Sequence, residues 1–304
     1  MSNTKRQHYV PRFLLKHFCA DGKTIYVTDL KTKNKYETNI TNVAQENRLY
    51  DLKTMQGDVS LEEMFSGLES KVAPIVDKIV ATESIGWLKD EDFDLLEDFV
   101  LCQFYRTRKS INNTAKILKS ENVPIFERYN ANGEKVETLY SGDLDVDDNM
   151  SKTLTYNILN HMEHNDVVRD AMASMEWLLL KTPENKKFLM SDSPVVLISM
   201  TRPADYKGET AGFELPDAQI LFPISSHLLL LLSARQMVED SKKGLLQALM
   251  TGRRVEVSDA YKCSIIGEPC MCEERLVDFF NKIQTANAER YVYGKPNKIK
   301  PKTI

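Results

Sequence analysis

The chain has 304 residues, of which 42% are hydrophobic and 28% charged, and a formal net charge of −4. That length and apolar content supply a full core for one large domain or two modest ones and exclude general disorder. The mild negative balance removes any overall electrostatic drive toward nucleic acid, although forty Lys and Arg leave room for a local basic groove.

In chain order, Pro11 suits the first position of a short helix through about Phe18, where its missing N–H costs nothing. "TIYVTDLKTKNKYETNI" alternates Ile25 and Val27 with polar neighbours, and Lys31 to Asn34 supply a turn, so a hairpin is predicted. "NVAQENRLYDL" reads as an irregular connector anchored by Tyr50. Ser60 followed by Glu63 is a capping-box pattern for a first long helix, with Leu61, Leu68, Val72, Ile75 and Ile79 as its apolar stripe. Pro74 falls inside that stripe and is expected to kink or divide it. A second helix is predicted from about Glu91 to Leu118, turning Phe93, Leu96, Val100 and Phe104 toward a core. Residues 123–149 are turn-rich and acidic, as in a surface insertion or mobile loop. Helical patterning returns from Met150 to about Met175. "EWLLLKT", "KFLMS", "VVLIS", "QILFPIS" and "HLLLLLSA" are short apolar runs between Pro, Asn, Asp or Gly, which predicts a sheet of about four or five strands. A final helix is expected from Glu274 to about Tyr291.

Helices gathered ahead of strands predict an α+β class rather than alternating βαβ units. The expected order is an N-terminal helix and small hairpin, a long-helix bundle, then a mixed or antiparallel sheet closed by a C-terminal helix. The chain reads as one large domain, helical over about 1–175 and sheet-containing over about 176–295. Its five cysteines, Cys19, Cys102, Cys263, Cys270 and Cys272, are odd in number and irregularly spaced, unlike a disulfide framework. The N-terminus lacks the apolar segment of a signal peptide, and the run Leu228 to Leu232 is too short to cross a membrane. A cytoplasmic protein without membrane contact is therefore expected.

"QHYVPRFLLKHF" at residues 7–18 resembles the opening signature of the domain-of-unknown-function 4238 family. "NRLYDL" is similar to that family's aromatic anchor, "LEEMFSGLE" to its paired-glutamate helix and "QFYRTR" to its Gln–Arg helix. "FLMSDSPVVL" resembles its F-x-x-SD-x-P turn, and "FPISSHLLLLL" and "FNKIQTANAERYV" complete the set. The resemblance covers nearly the whole chain apart from the acidic insertion. It implies binding roles for Arg108, Asn281 and Arg290, which have less local rationale. It names no activity, and microbial conflict (defence or toxin action) is the setting it suggests.

A helix start explains Pro11, and packing explains Phe13, Leu14 and Phe18, but neither explains His8 or Arg12. A cation in a first helical turn opposes the helix dipole, so Arg12 calls for an anionic partner, either a carboxylate or a ligand phosphate. Stepping by three and four, Leu96, Phe99, Gln103, Arg106, Ser110 and Asn113 form one line that starts apolar and turns polar, as if entering a polar cavity. Glu69, beside the apolar stripe of the first helix, is a counter-charge for Arg12 or Arg106. Asp192 in "MSDSP" suits an Asx-type turn, or a carboxylate at a strand end poised for catalysis or metal binding.

Several other signals are weak. Arg12 and His17 have the R-x4-H spacing of HEPN-type ribonucleases, but Phe13 stands where that motif has a polar residue. Cys270 and Cys272 are too close for a zinc half-site, and His161 and His164 are expected to face solvent. No phosphate-binding loop, dinucleotide fingerprint, zincin helix or nucleophile elbow occurs.

Two readings follow. In the first, His8, Glu69 and Asp192 are catalytic and Arg12, Gln103, Arg106, Arg108, Asn281 and Arg290 bind substrate. The protein would then be a hydrolase of a phosphorylated small molecule or nucleic acid, with Mg²⁺ as candidate cofactor. In the second, the same residues make a non-catalytic anion-binding or regulatory module whose polar cluster is structural.

Overall fold

A computed structural model of the chain describes residues 6–54, 57–120, 124–130, 132–143, 145–199, 201, 212–234 and 267–297; Cys263 lies outside them. The first half contains β1 (Arg6–His8), α1 (Arg12–Leu15), β2 (Thr24–Asp29), β3 (Lys35–Asn39), β4 (Gln45–Asn47), β5 (Asp51–Thr54), β6 (Gly57–Ser60), α2 (Glu62–Thr82), α3 (Asp90–Tyr105) and α4 (Arg108–Ser120). The hairpin β7 (Pro124–Tyr129) and β8 (Lys135–Tyr140) follows, then α5 (Asp148–Glu163) and α6 (Asp166–Ala173). The remainder is β9 (Glu176–Lys181), β10 (Met190–Ser191), β11 (Val196–Ile198), β12 (Gln219–Pro223), β13 (Leu228–Ser233), β14 (Cys270–Met271), α7 (Glu274–Asn287) and β15 (Tyr291–Tyr293). The fold is α+β, as expected.

The continuous apolar runs late in the chain make a five-stranded sheet in the order β11-β12-β13-β9-β14, antiparallel except where β14 joins β9. Side chains alternate across a strand, so an unbroken leucine run serves two cores at once. Leu228, Leu230 and Leu232 enter the main core with Leu179, Ile220 and Phe222. Leu229 turns the other way with Leu180 and Leu221, against Val277 and Phe280 of α7. The main core also takes Val72, Val76 and Ile79 of α2, and Leu96, Phe99 and Val100 of α3.

A second sheet, β10-β15-β2-β3, is antiparallel throughout. It corrects the reading of "KFLMS" as part of the large sheet, because Met190 and Ser191 pair with Tyr293 and Val292. Tyr291, expected to end the last helix, begins β15. The two halves of the chain therefore interleave rather than stack.

Other local expectations give way to tertiary contacts. Pro11 precedes its helix with an extended backbone, and the helix passes into a 3₁₀ turn at Lys16–Phe18. "AQEN" is not irregular, because β4 pairs with β1 and sets Gln7 opposite Glu46. Ser60 caps nothing; it ends β6 and accepts a hydrogen bond from Gln7. Helix α2 runs through Pro74, whose cost is offset by its buried Val72, Ile75, Val76 and Ile79. The expected insertion contains an exposed hairpin, and the helix expected over Met150 to Met175 is two, divided at His164 and Asn165. The helix expected from Glu91 to Leu118 also breaks, between Tyr105 and Arg108.

Candidate functional site

Strand β1 alternates exposed, buried and half-buried, which sends Gln7 inward. Gln7 Oε1 accepts from the Tyr50 amide at 2.7 Å, and Nε2 donates to Asp51 Oδ1 at 3.0 Å and Ser60 Oγ at 3.3 Å. Tyr50 answers by donating its hydroxyl to the His8 carbonyl at 3.1 Å. The opening segment is thus fastened from both sides.

The break after α3 explains the polar end of the Gln103–Arg106 line. Arg106 caps α3 rather than continuing it, and its guanidinium is turned fully into the protein. Nη1 pairs with Glu69 Oε1 at 2.7 Å, and Nε donates to the Tyr9 carbonyl at 3.3 Å. Gln103 Nε2 donates to that same carbonyl at 2.7 Å. The guanidinium carbon lies 5.5 Å from the Phe65 ring centroid, a further attraction for a cation held away from water.

His8 is half-buried beside this pair. Burial, then the nearby Arg12 charge, and more weakly Arg106, lower its pKa to about 4 against an opposing backbone hydrogen bond at Ile40. It is a neutral imidazole at neutral pH, and its Nε2 has no hydrogen-bond partner among the described residues. Gln103 Oε1 and Arg106 Nη2 are likewise buried without one. Arg12 is exposed at the outer side. The structure therefore brings His8, Arg12, Glu69, Gln103 and Arg106 into one neighbourhood, with Arg12 exposed and Gln103 and Arg106 fully buried.

The family described as "Protein of unknown function (DUF4238)" has a model that matches residues 6–298. The chain belongs to the DUF4238 family. No curated protein and no solved structure matches it.

In this DUF4238 protein the other expected site residues serve elsewhere. Asp192 accepts three backbone amides, from Glu289 at 2.8 Å, Arg290 at 2.7 Å and Tyr291 at 2.8 Å. Burial still raises its pKa, outweighing those three bonds. Asn281 accepts from Leu189 N at 2.8 Å and donates to the Lys187 carbonyl at 2.9 Å. Arg290 grips Asp29, with Nη2 2.8 Å from Oδ2. Arg108 pairs with Glu46 and, at 2.5 Å, with Asp148. No described contact joins Asp192, Asn281 or Arg290 to Glu69 or Arg106. Tyr9 links the two groups, because its carbonyl holds Gln103 and Arg106 while its phenol reaches Tyr293 near Asp192.

His17 is not a partner of Arg12; its Nε2 lies 2.8 Å from Asp77 Oδ1, and Lys16 takes the other oxygen at 2.7 Å. His164 Nδ1 contacts the Asn160 carbonyl at 2.7 Å, and His161 Nε2 lies 3.3 Å from Asn165 Nδ2. Among the described residues no group of three or more His, Cys, Asp or Glu could hold a metal ion. Glu69 is committed to Arg106 and Asp192 to backbone amides, so these carboxylates do not fit a shared Mg²⁺ cage.

Glu62 was not among the expected site residues. It starts α2 two turns ahead of Glu69, and burial, then Glu69, raise its pKa, while Arg106 acts the other way. The signal was the Glu62–Glu69 spacing on one helix face. Among the described residues no helix is long and apolar enough to cross a membrane.

Proposed function

We propose that the His8–Arg12–Arg106 neighbourhood binds a phosphoryl group and hydrolyses a phosphoester of a nucleotide or nucleic acid. The observation that carries the reading is a set of buried polar atoms on neighbouring side chains that the internal network leaves without a partner among the described residues: Arg106 Nη2, His8 Nε2 and Gln103 Oε1. An unpartnered buried polar atom costs about 1–3 kcal/mol, so three in one cluster favour a ligand that satisfies them. Arg106 is always charged and held rigidly by Glu69, which suits a donor aimed at a non-bridging oxygen. Arg12, exposed at the rim, would supply the second cation.

His8 is then the general base. Its neutral Nε2 takes a proton from water as the water oxygen bonds to phosphorus. The ester oxygen leaves with a proton, and Glu62, whose pKa is raised, is the nearby carboxyl suited to give one. A bound phosphate anion would itself favour protonated His8, countering the Arg12 and Arg106 charges that now oppose it.

The test compares wild type with His8→Ala and Arg12→Ala in phosphate-binding calorimetry and in nuclease and nucleotide-hydrolysis assays. The reading expects activity in wild type and at least a hundredfold loss in folded His8→Ala, on the scale of general acid–base catalysis. Unchanged activity in that variant ends it.

A second reading has its own observation: Gln103 and Arg106 both spend donors on the Tyr9 carbonyl, so the cluster latches the N-terminal segment onto α2 and α3. In that case His8→Ala and Arg12→Ala lower thermal stability and alter no binding.

A further inference from the structure

A separate cleft of about 580 Å³ lies on the far side of α3 from Arg106 along the helix. Four helix positions spaced three and four apart, Asp90, Phe93, Asp94 and Glu97, form one wall, and Glu176 and Trp177 of β9 face them. Phe93 and Trp177 meet edge to face, with centroids 5.4 Å apart. A cleft of this size suits a small molecule rather than a single ion.

Glu97 stands apart from the other carboxylates. It is 6% exposed, it lines the cleft, and it makes no hydrogen bond or ion pair among the described residues. The cation near it among the described residues, Arg169 on α6, is paired with Asp98 at 2.5 Å. The charges around it are otherwise Asp94 and Asp98 on its own helix, with Asp90 and Glu176 along the cleft. Buried carboxylates are ordinarily paired or hydrogen-bonded. A carboxyl facing a space lined by acids, aromatic rings and apolar side chains, with no donor among the described residues, calls for a cationic N–H partner.

We propose that this cleft binds a small organic cation, a primary ammonium on an aromatic or apolar body, with Glu97 as its counter-ion. The ammonium supplies the hydrogen bonds that Glu97 lacks, which a quaternary amine could not. Phe93 and Trp177 receive the apolar body and add cation–π attraction. The bare carboxyl has its pKa raised to about 7, by burial first and then by Asp94 and Asp98 against the pull of Arg169. Binding a cation must therefore release the Glu97 proton at lower pH.

The experiment is calorimetric titration of the full chain with tryptamine and with its uncharged alcohol analogue tryptophol, at about pH 6 and about pH 8. The amine stays charged across this range, as a lysine ammonium does. We expect tryptamine to bind at least tenfold tighter than tryptophol at the higher pH, and to lose about tenfold in affinity at the lower one, where most of Glu97 is protonated. Glu97→Gln should erase both the preference and the pH dependence while still binding tryptophol, which shows that the cleft is intact. Equal affinity for the two probes, a preference that survives Glu97→Gln, or no binding of either probe by wild type would overturn the proposal.

Discussion

Removing one member of the Arg106–Glu69 pair should not cost the same as removing the other. The Arg106 side chain is 0% exposed, whereas the Glu69 side chain keeps 26% of its surface in water. In Glu69→Leu the guanidinium stays buried with no counter-charge, and breaking a buried pair in that way costs about 3–5 kcal/mol. In Arg106→Met the orphaned carboxylate can hydrate, so the pair loss falls near the lower end, about 3 kcal/mol. The Tyr9 carbonyl loses the 3.3 Å bond from Nε but keeps the 2.7 Å bond from Gln103, a loss of about 0.5–1 kcal/mol. Deleting the unpartnered Nη2 returns about 1–2 kcal/mol. Arg106→Met should therefore cost about 2 kcal/mol and Glu69→Leu about twice that, with the double variant close to Arg106→Met. Urea denaturation reads this as midpoint shifts at constant slope. If Arg106→Met is the more damaging variant, Glu69 does not neutralise the buried charge in the way described.

Three further outcomes are expected. His8 has a pKa lowered from 6.5 to about 4, so the unfolded chain takes up a proton before the folded one as pH falls. Stability should thus be complete above about pH 6.5 and decline by about 2–3 kcal/mol toward pH 4, and His8→Gln should flatten that part of the profile. Arg12→Ala should change unfolding free energy by no more than about 0.5 kcal/mol, because Arg12 is exposed, while weakening phosphate binding; a large drop in stability supports the latch reading instead. Asp192→Ala leaves three amides without their acceptor and should cost about 3 kcal/mol in the same urea titration, with Asp192→Asn intermediate. A neutral Asp192→Ala would mean those amides find water.

What was legible in the sequence followed from period and composition, and what was not depended on partners remote in the chain. The Ile25–Val27 alternation and the leucine runs specify strands because burial of alternate positions is local information. The interruption at Arg106 is not local, since arginine is a good helix former. What holds it there is Glu69 on another helix and a carbonyl 97 residues away. Ser60 carries a capping pattern, yet its hydroxyl is taken by Gln7, 53 residues away. The polar line through Gln103 and Arg106 did lead to the right neighbourhood, because two polar residues following Phe99 on one face needed a reason. Asp192 was recognisable as a turn carboxylate, but its clients at 289–291 were not. Glu97 was concealed among acidic neighbours on α3; it is buried beside a cleft that β9 and α6 also line, and neither is close to it in sequence.

The seam between β2 and β15 joins residues separated by almost the whole polypeptide: Val27 lies opposite Tyr293, and Arg290 reaches back 261 positions to Asp29. During synthesis β2 has β3 on one flank while its other flank waits for the last strand to be made. Until then that flank offers unpaired amides and carbonyls to any neighbouring nascent chain. Ribosome stalling or proteolytic clipping shortly before Tyr291 should accordingly yield aggregates rather than a smaller native particle.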